Sequence, residues 1–92
     1  MAPEVVMYRT PICPYCIRAE ALLKRKGVPF REIDVSSDPE KRAWLLDATR
    51  QRTVPQIFIN GRSIGGCDEL YMLERQGKLD ELLAQDPPDG RS

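Results

Sequence analysis

The chain has 92 residues, with 14 Lys and Arg against 14 Asp and Glu and no histidine. That is enough for one domain, and a zero net charge offers no long-range attraction to nucleic acid or an anionic membrane surface. The missing histidine excludes a Ser-His-Asp triad, a Cys-His nucleophile pair and every His-ligated zinc or haem site.

Val5-Val6-Met7-Tyr8 is apolar and partly β-branched, and predicts a buried first strand that ends near Pro11. Pro14 opens a helix to about Lys26, since proline suits a first helical position whose N–H would be unpaired anyway. Cys16, Ala19, Leu22 and Leu23 make its apolar face, and Glu20 with Lys24 forms an i,i+4 ion pair. Gly27 is the stop, with Pro29 just beyond. Phe30 to Val35 alternates imperfectly and predicts a second strand. Two starts compete for the next helix, which runs to about Arg50: a Ser37/Glu40 capping box and Asp38-Pro39. Its core face is expected to carry Trp44, Leu45 and Ala48.

Gln56-Ile57-Phe58-Ile59, Asn60-Gly61 and Arg62-Ser63-Ile64 read as a hairpin, because Asn-Gly favours a type I′ turn. Gly65-Gly66 breaks the pattern. A further helix begins near Cys67 with Asp68 and Glu69 at its positive end, turns Leu70 and Leu73 inward, and stops at Gly77. Lys78 to Ala84 suits one more short helix. The domain is expected over 1–85, followed by a disordered polar tail over 86–92. The resulting order, β-α-β-α-β-β-α, predicts an α/β domain with a small mixed sheet flanked by helices, its first two strands parallel.

Cys13-Pro14-Tyr15-Cys16 lies between the first strand and the first helix, where a Cys-X-X-Cys reads as a redox pair. With Cys13 at the N-cap, Cys16 falls one turn inside, so the two sulfurs can bond with little backbone movement. The free N–H groups of the first turn favour a thiolate at Cys13, while the deeper Cys16 stays a thiol until needed. A zinc site would need two more soft ligands, and the chain offers only Cys67. No metal is expected. Three cysteines with no long apolar run and no basic, apolar leader at Met1 to Val6 point to the cytoplasm.

Three segments carry a resemblance: Cys13-Pro14-Tyr15-Cys16, Thr53-Val54-Pro55-Gln56-Ile57-Phe58-Ile59 and Gly65-Gly66-Cys67-Asp68-Glu69-Leu70. Together, in this order and spacing, they resemble the signature of dithiol glutaredoxins, in particular the short bacterial type called glutaredoxin three. The resemblance implies a thioredoxin fold with a four-stranded mixed sheet and a glutathione-dependent thiol-disulfide oxidoreductase with Cys13 and Cys16 as its catalytic pair. Glutathione is then a co-substrate, with no bound cofactor. The implied glutathione-binding residues are Tyr15, Thr53, Val54, Pro55, Gly66, Cys67 and Asp68, with a cis Val54-Pro55 bond and with Glu69 towards the γ-glutamyl amino group. Implied partners are disulfide-bonded or glutathionylated proteins, ribonucleotide reductase among the candidates, acted on by a monomer.

One position departs from the family. The lysine that glutaredoxins usually carry three residues before the first cysteine is Thr10 here, with Arg9 one residue earlier. A one-residue shift along a strand turns a side chain to the other face, so Arg52 is the better candidate for the glycine carboxylate of glutathione. Cys67 reads as a small buried hydrophobe, and Trp44 and Tyr71 as core aromatics.

Overall fold

The computed structural model describes residues 3–85. The tail expected over 86–92 lies outside the described residues. Its elements are β1 (Val5–Arg9), α1 (Pro14–Arg25), β2 (Arg31–Asp34), α2 (Pro39–Thr49), β3 (Gln56–Ile59), β4 (Arg62–Gly65), α3 (Cys67–Arg75) and α4 (Lys78–Leu83). The strands form one sheet in the order β2-β1-β3-β4. β1 pairs parallel with β2 and antiparallel with β3, and β3 pairs antiparallel with β4. The sheet is therefore mixed, and β1, one of its two central strands, leads directly into the Cys13 loop.

Alternation along the central strands builds the core. Val5, Met7, Ile57 and Ile59 share one face and pack against Ala19, Leu22 and Leu23 of α1, Leu70 of α3, and Leu79 and Leu83 of α4. Leu22, Leu23, Leu70 and Leu79 have no exposed surface, and burying each such side chain contributes roughly 1.5–3 kcal/mol. The opposite face carries a second, aromatic cluster. Tyr8 meets Phe58 edge-on at 5.6 Å between ring centroids, and Trp44 of α2 stacks on Phe58 at 5.7 Å.

Capping sets the helix boundaries. Cys13 caps α1, with Pro14 in its first turn, and Gly27 closes the far end at φ 72°. For α2 the Asp38-Pro39 start prevails: the Asp38 carboxylate accepts the Lys41 N–H at 3.0 Å. With Asp38 as the N-cap just before Pro39, the rival Ser37 capping box is left without a role. Asn60 and Gly61 both take positive φ, 52° and 82°, as a type I′ turn requires.

Two expectations for α2 are corrected. Leu45 is buried, but Trp44 is 48% exposed, and Ala48 is exposed. α2 meets the sheet along a line centred on Leu45. The Trp44 ring is long enough to reach the sheet from beside that line, whereas the Ala48 methyl is not. The second strand is also shorter than Phe30 to Val35, because its partner β1 pairs with it only from Val6↔Arg31 to Arg9↔Asp34. Phe30, packed on the main cluster, and Val35, fully buried, flank it.

Candidate active site

Cys13 sits in extended backbone (φ −153°, ψ 100°) at the point where the loop after β1 becomes α1. Its sulfur accepts the Cys16 backbone N–H at 3.1 Å, and its carbonyl accepts the Ile17 N–H at 3.0 Å. The thiol also points at the Val54 carbonyl, 3.8 Å away. This cysteine keeps a small exposed edge, 7%, while Cys16 one turn along has none. The two thiols are therefore unequal. Burial, and next the hydrogen bond with Cys13, pushes the Cys16 thiol up from 9.0 to about 12, against the pull of the Thr10 backbone amide and Arg9. A neutral Cys16 is the result at ordinary pH, and a bond formed at the Cys13 sulfur removes one of the causes that hold it so.

Beside Val54 opens a cavity of about 580 Å³ lined by Tyr15, Gln51, Arg52, Thr53, Val54, Pro55, Gly66, Cys67, Asp68 and Glu69. Three separate chain segments meet here: the first turn of α1, the loop between α2 and β3, and the start of α3. The Val54-Pro55 peptide bond is cis. Every residue named from the resemblance as a glutathione contact lies on this one cavity, and so does Arg52. Cys13 stands at its edge, through Val54.

The charged residues divide between structure and cavity. Arg9 does not enter the cavity: its guanidinium bonds the Glu20 carboxylate at 3.2 Å and that of Glu32, and its Nε–H reaches the Thr10 carbonyl at 3.3 Å. Glu69 lines the cavity, but its Oε1 accepts the Gly66 N–H at 2.7 Å and so ties the start of α3. Cys67 is 4% exposed and its thiol is raised by burial, with Arg18 opposing. Tyr71 packs against the core with its hydroxyl donating to the Arg18 carbonyl at 3.0 Å.

Sequence reasoning passed over two glutamines. Gln51 lines the cavity, and Gln56, 1% exposed, is the buried polar residue behind it. The signal was present: a glutamine inside the apolar run Gln56 to Ile59 must find partners where it is buried. Among the described residues no group of three His, Cys, Asp or Glu side chains is placed to hold a metal ion, and no helix is long and apolar enough to cross a membrane.

A vicinal thiol pair whose first member keeps an exposed edge, next to a groove of backbone and mixed charge, can exchange disulfides with a small peptide thiol. Comparison with known proteins agrees. The family model described as Glutaredoxin matches residues 5–64. A glutaredoxin of Pseudomonas aeruginosa is 56% identical over 82 residues, covering 89% of this chain and 98% of that one. Glutaredoxin 3 of Escherichia coli is 48% identical over 80 residues, covering 87% and 96%. The crystal structure of a buckwheat glutaredoxin-glutathione complex superposes with a TM-score of 0.82 at 36% identity, over 86% of this chain and 74% of that one. The sheet and its helices are accordingly the thioredoxin fold of those neighbours, and the chain belongs to the glutaredoxin family.

Proposed function

We propose that this glutaredoxin, a glutathione-dependent thiol oxidoreductase by family, reduces protein disulfides and glutathione mixed disulfides through Cys13 and Cys16. One observation carries the reading: the Cys13 sulfur, held by the Cys16 N–H at 3.1 Å, borders the cavity through Val54. The cavity is the glutathione site in this reading, with Tyr15, Arg52, Thr53, Val54, Pro55, Gly66, Cys67, Asp68 and Glu69 around the tripeptide. Its extended backbone pairs with the Val54 backbone as an added strand would. The buckwheat complex, which contains glutathione by name, supports the assignment.

For a glutathionylated protein, the Cys13 thiolate attacks the glutathione sulfur and displaces the protein thiolate, which takes up a proton. A second glutathione thiolate then attacks the Cys13-glutathione disulfide, releasing glutathione disulfide and regenerating Cys13. For a protein disulfide, Cys13 forms the mixed disulfide and Cys16 resolves it. Cys16 loses its proton and attacks the Cys13 sulfur, the substrate leaves with both thiols reduced, and two glutathiones reduce the Cys13–Cys16 disulfide. Glutathione is the co-substrate and no bound cofactor enters these steps. The setting is a monomer in the cytoplasm, with ribonucleotide reductase among the candidate protein substrates.

The two cysteine variants test this. Cys13→Ser is expected to abolish both activities. Cys16→Ser is expected to keep deglutathionylation and to lose most protein-disulfide reduction, since only the latter needs an internal resolving thiol. Equal loss of both activities in Cys16→Ser would overturn the assigned roles.

A further inference from the structure

Gln56 stands on β3 immediately after Pro55 with 1% of its surface exposed. Its Nε2 donates to the Thr53 carbonyl at 2.9 Å and to the Gln51 side-chain oxygen at 3.0 Å, and lies 3.4 Å from the Thr53 hydroxyl. Its Oε1 is buried with no partner. The orientation of the amide is fixed by these neighbours. Turned over, it would set an oxygen against the Thr53 carbonyl, which can only accept, and lose that bond. Leaving Oε1 unpaired is costly in a buried place, so the two donated bonds are where the amide is engaged.

Both bonds end on the segment that walls the cavity, since Gln51, Arg52, Thr53 and Val54 all line it. That segment has no ladder of its own: it lies between the end of α2 at Thr49 and the start of β3 at Gln56. Thr49 steadies its beginning, its hydroxyl accepting the Gln51 N–H at 3.1 Å. Gln56 steadies its middle from beneath. Because the Gln51 oxygen is taken by Gln56, the Gln51 amide nitrogen is the end left to meet a ligand in the cavity.

We propose that Gln56 is a positioning residue for glutathione, its buried amide holding Gln51 and Thr53 so that the cavity wall is set before the tripeptide arrives. Ordering the wall in advance spares the ligand that cost on binding. The inference rests on the reading of the cavity as the glutathione site.

Gln56→Met keeps the volume and removes both donors. Steady-state kinetics on a glutathione mixed disulfide should show KM for glutathione raised roughly three- to tenfold, the effect of losing one or two neutral hydrogen bonds. The kcat should change less than about twofold, and so should the rate of Cys13 alkylation by iodoacetamide, because the hydrogen bonds of Gln56 go to Gln51 and Thr53 and not to the cysteine pair. A general loosening of the fold would lower kcat and alter alkylation as well, and that result overturns the positioning role. A wild-type protein that saturates with glutathione while Gln56→Met shows the same KM overturns the inference alone. A wild-type protein that never saturates overturns the reading of the cavity and the inference with it. A measurement on the unaltered chain stands beside these. The Gln56 side-chain amide protons should exchange with solvent on the order of tenfold more slowly than those of the exposed Gln76 and Gln85. Exchange at the exposed rate overturns the clamp whatever becomes of the variant.

Discussion

The Cys16 backbone N–H points at the Cys13 sulfur across 3.1 Å, so the resolving residue supports the nucleophile through its main chain while its own thiol waits in the core. One short stretch of helix thereby separates the two roles. Cys13 takes the donor and the exposed edge, and Cys16 takes the burial that keeps it protonated.

That burial has a consequence for stability against pH. The Cys16 thiol is raised from 9.0 to about 12 in the folded chain, so the fold holds its proton more tightly than the unfolded chain does. The associated stability is fully present below about pH 9 and is lost as pH rises towards 12. Urea unfolding of the reduced protein between pH 8 and 11 is expected to show a steeper decline for wild type than for Cys16→Ala. Cys67 and Lys26, also raised, contribute losses common to both proteins, so the difference in slope isolates Cys16. Parallel curves would refute the buried-thiol account.

The α2 start offers a cleaner comparison. Asp38→Ala removes the carboxylate that accepts the Lys41 N–H, and a lost N-cap costs about 1 kcal/mol. Ser37→Ala should cost no more than a few tenths, because its neighbour holds the cap. Thermal melts of the two variants decide between the starts that the sequence leaves open.

Gly65 is the glycine with no room for change. It has φ 111°, a backbone region that residues with a side chain rarely adopt, and an added Cβ would lie 2.8 Å from the Glu69 Cγ. Gly65→Ala is expected to cost roughly 1–3 kcal/mol and to dislodge the Glu69 contact with the Gly66 N–H. The readout is a lower Tm together with a higher KM for glutathione, since Gly66 and Glu69 both line the cavity. An unchanged Tm would mean that the strand end tolerates a different backbone.

What could be read in advance follows from the range of each interaction. Helix faces and caps are local: Cys16, Ala19, Leu22 and Leu23 recur at the helical period, and Asn60-Gly61 announces its own turn. Strand order is not local. Nothing in the periodicity places β1 between β2 and β3, because that depends on which apolar faces find each other across the whole chain. Trp44 and Ala48 show the same limit, since both fit a helical stripe and only the depth of packing against the sheet tells them apart. At the site, Cys13 and Cys16 declare themselves by spacing, and the cavity residues were reached through three family segments. Gln51 lies outside those segments and Gln56 stands inside one with no role of its own there, and their bond is visible only once the loop is folded over the strand.

Arg9 and Arg52 give the sharpest functional contrast. With Thr10 in place of the usual lysine, the glycine carboxylate of glutathione still needs a cation or a set of donors, since burying it unpaired is costly. Arg9 is committed elsewhere, bonded to Glu20 and Glu32 with its side chain 15% exposed. Arg52 lines the cavity beside Thr53 and Val54, and among the described residues it forms no ion pair. Arg52→Ala is therefore expected to raise KM for glutathione, by an amount reaching at most roughly 1.5–3 kcal/mol, typical of a hydrogen bond to a charged group. Arg9→Ala should leave KM nearly unchanged and instead lower stability on the order of 1 kcal/mol, by taking the shared cation from Glu32 on β2 and from Glu20 on α1, which keeps only its pair with Lys24. Steady-state kinetics and urea unfolding on both variants separate the two effects. A KM increase confined to Arg9→Ala would mean that Arg9 leaves its carboxylates when glutathione binds and takes the lysine's place. If neither variant changes KM, the carboxylate is held by backbone N–H groups or by solvent, and the cation at Arg52 serves the fold's surface rather than its ligand.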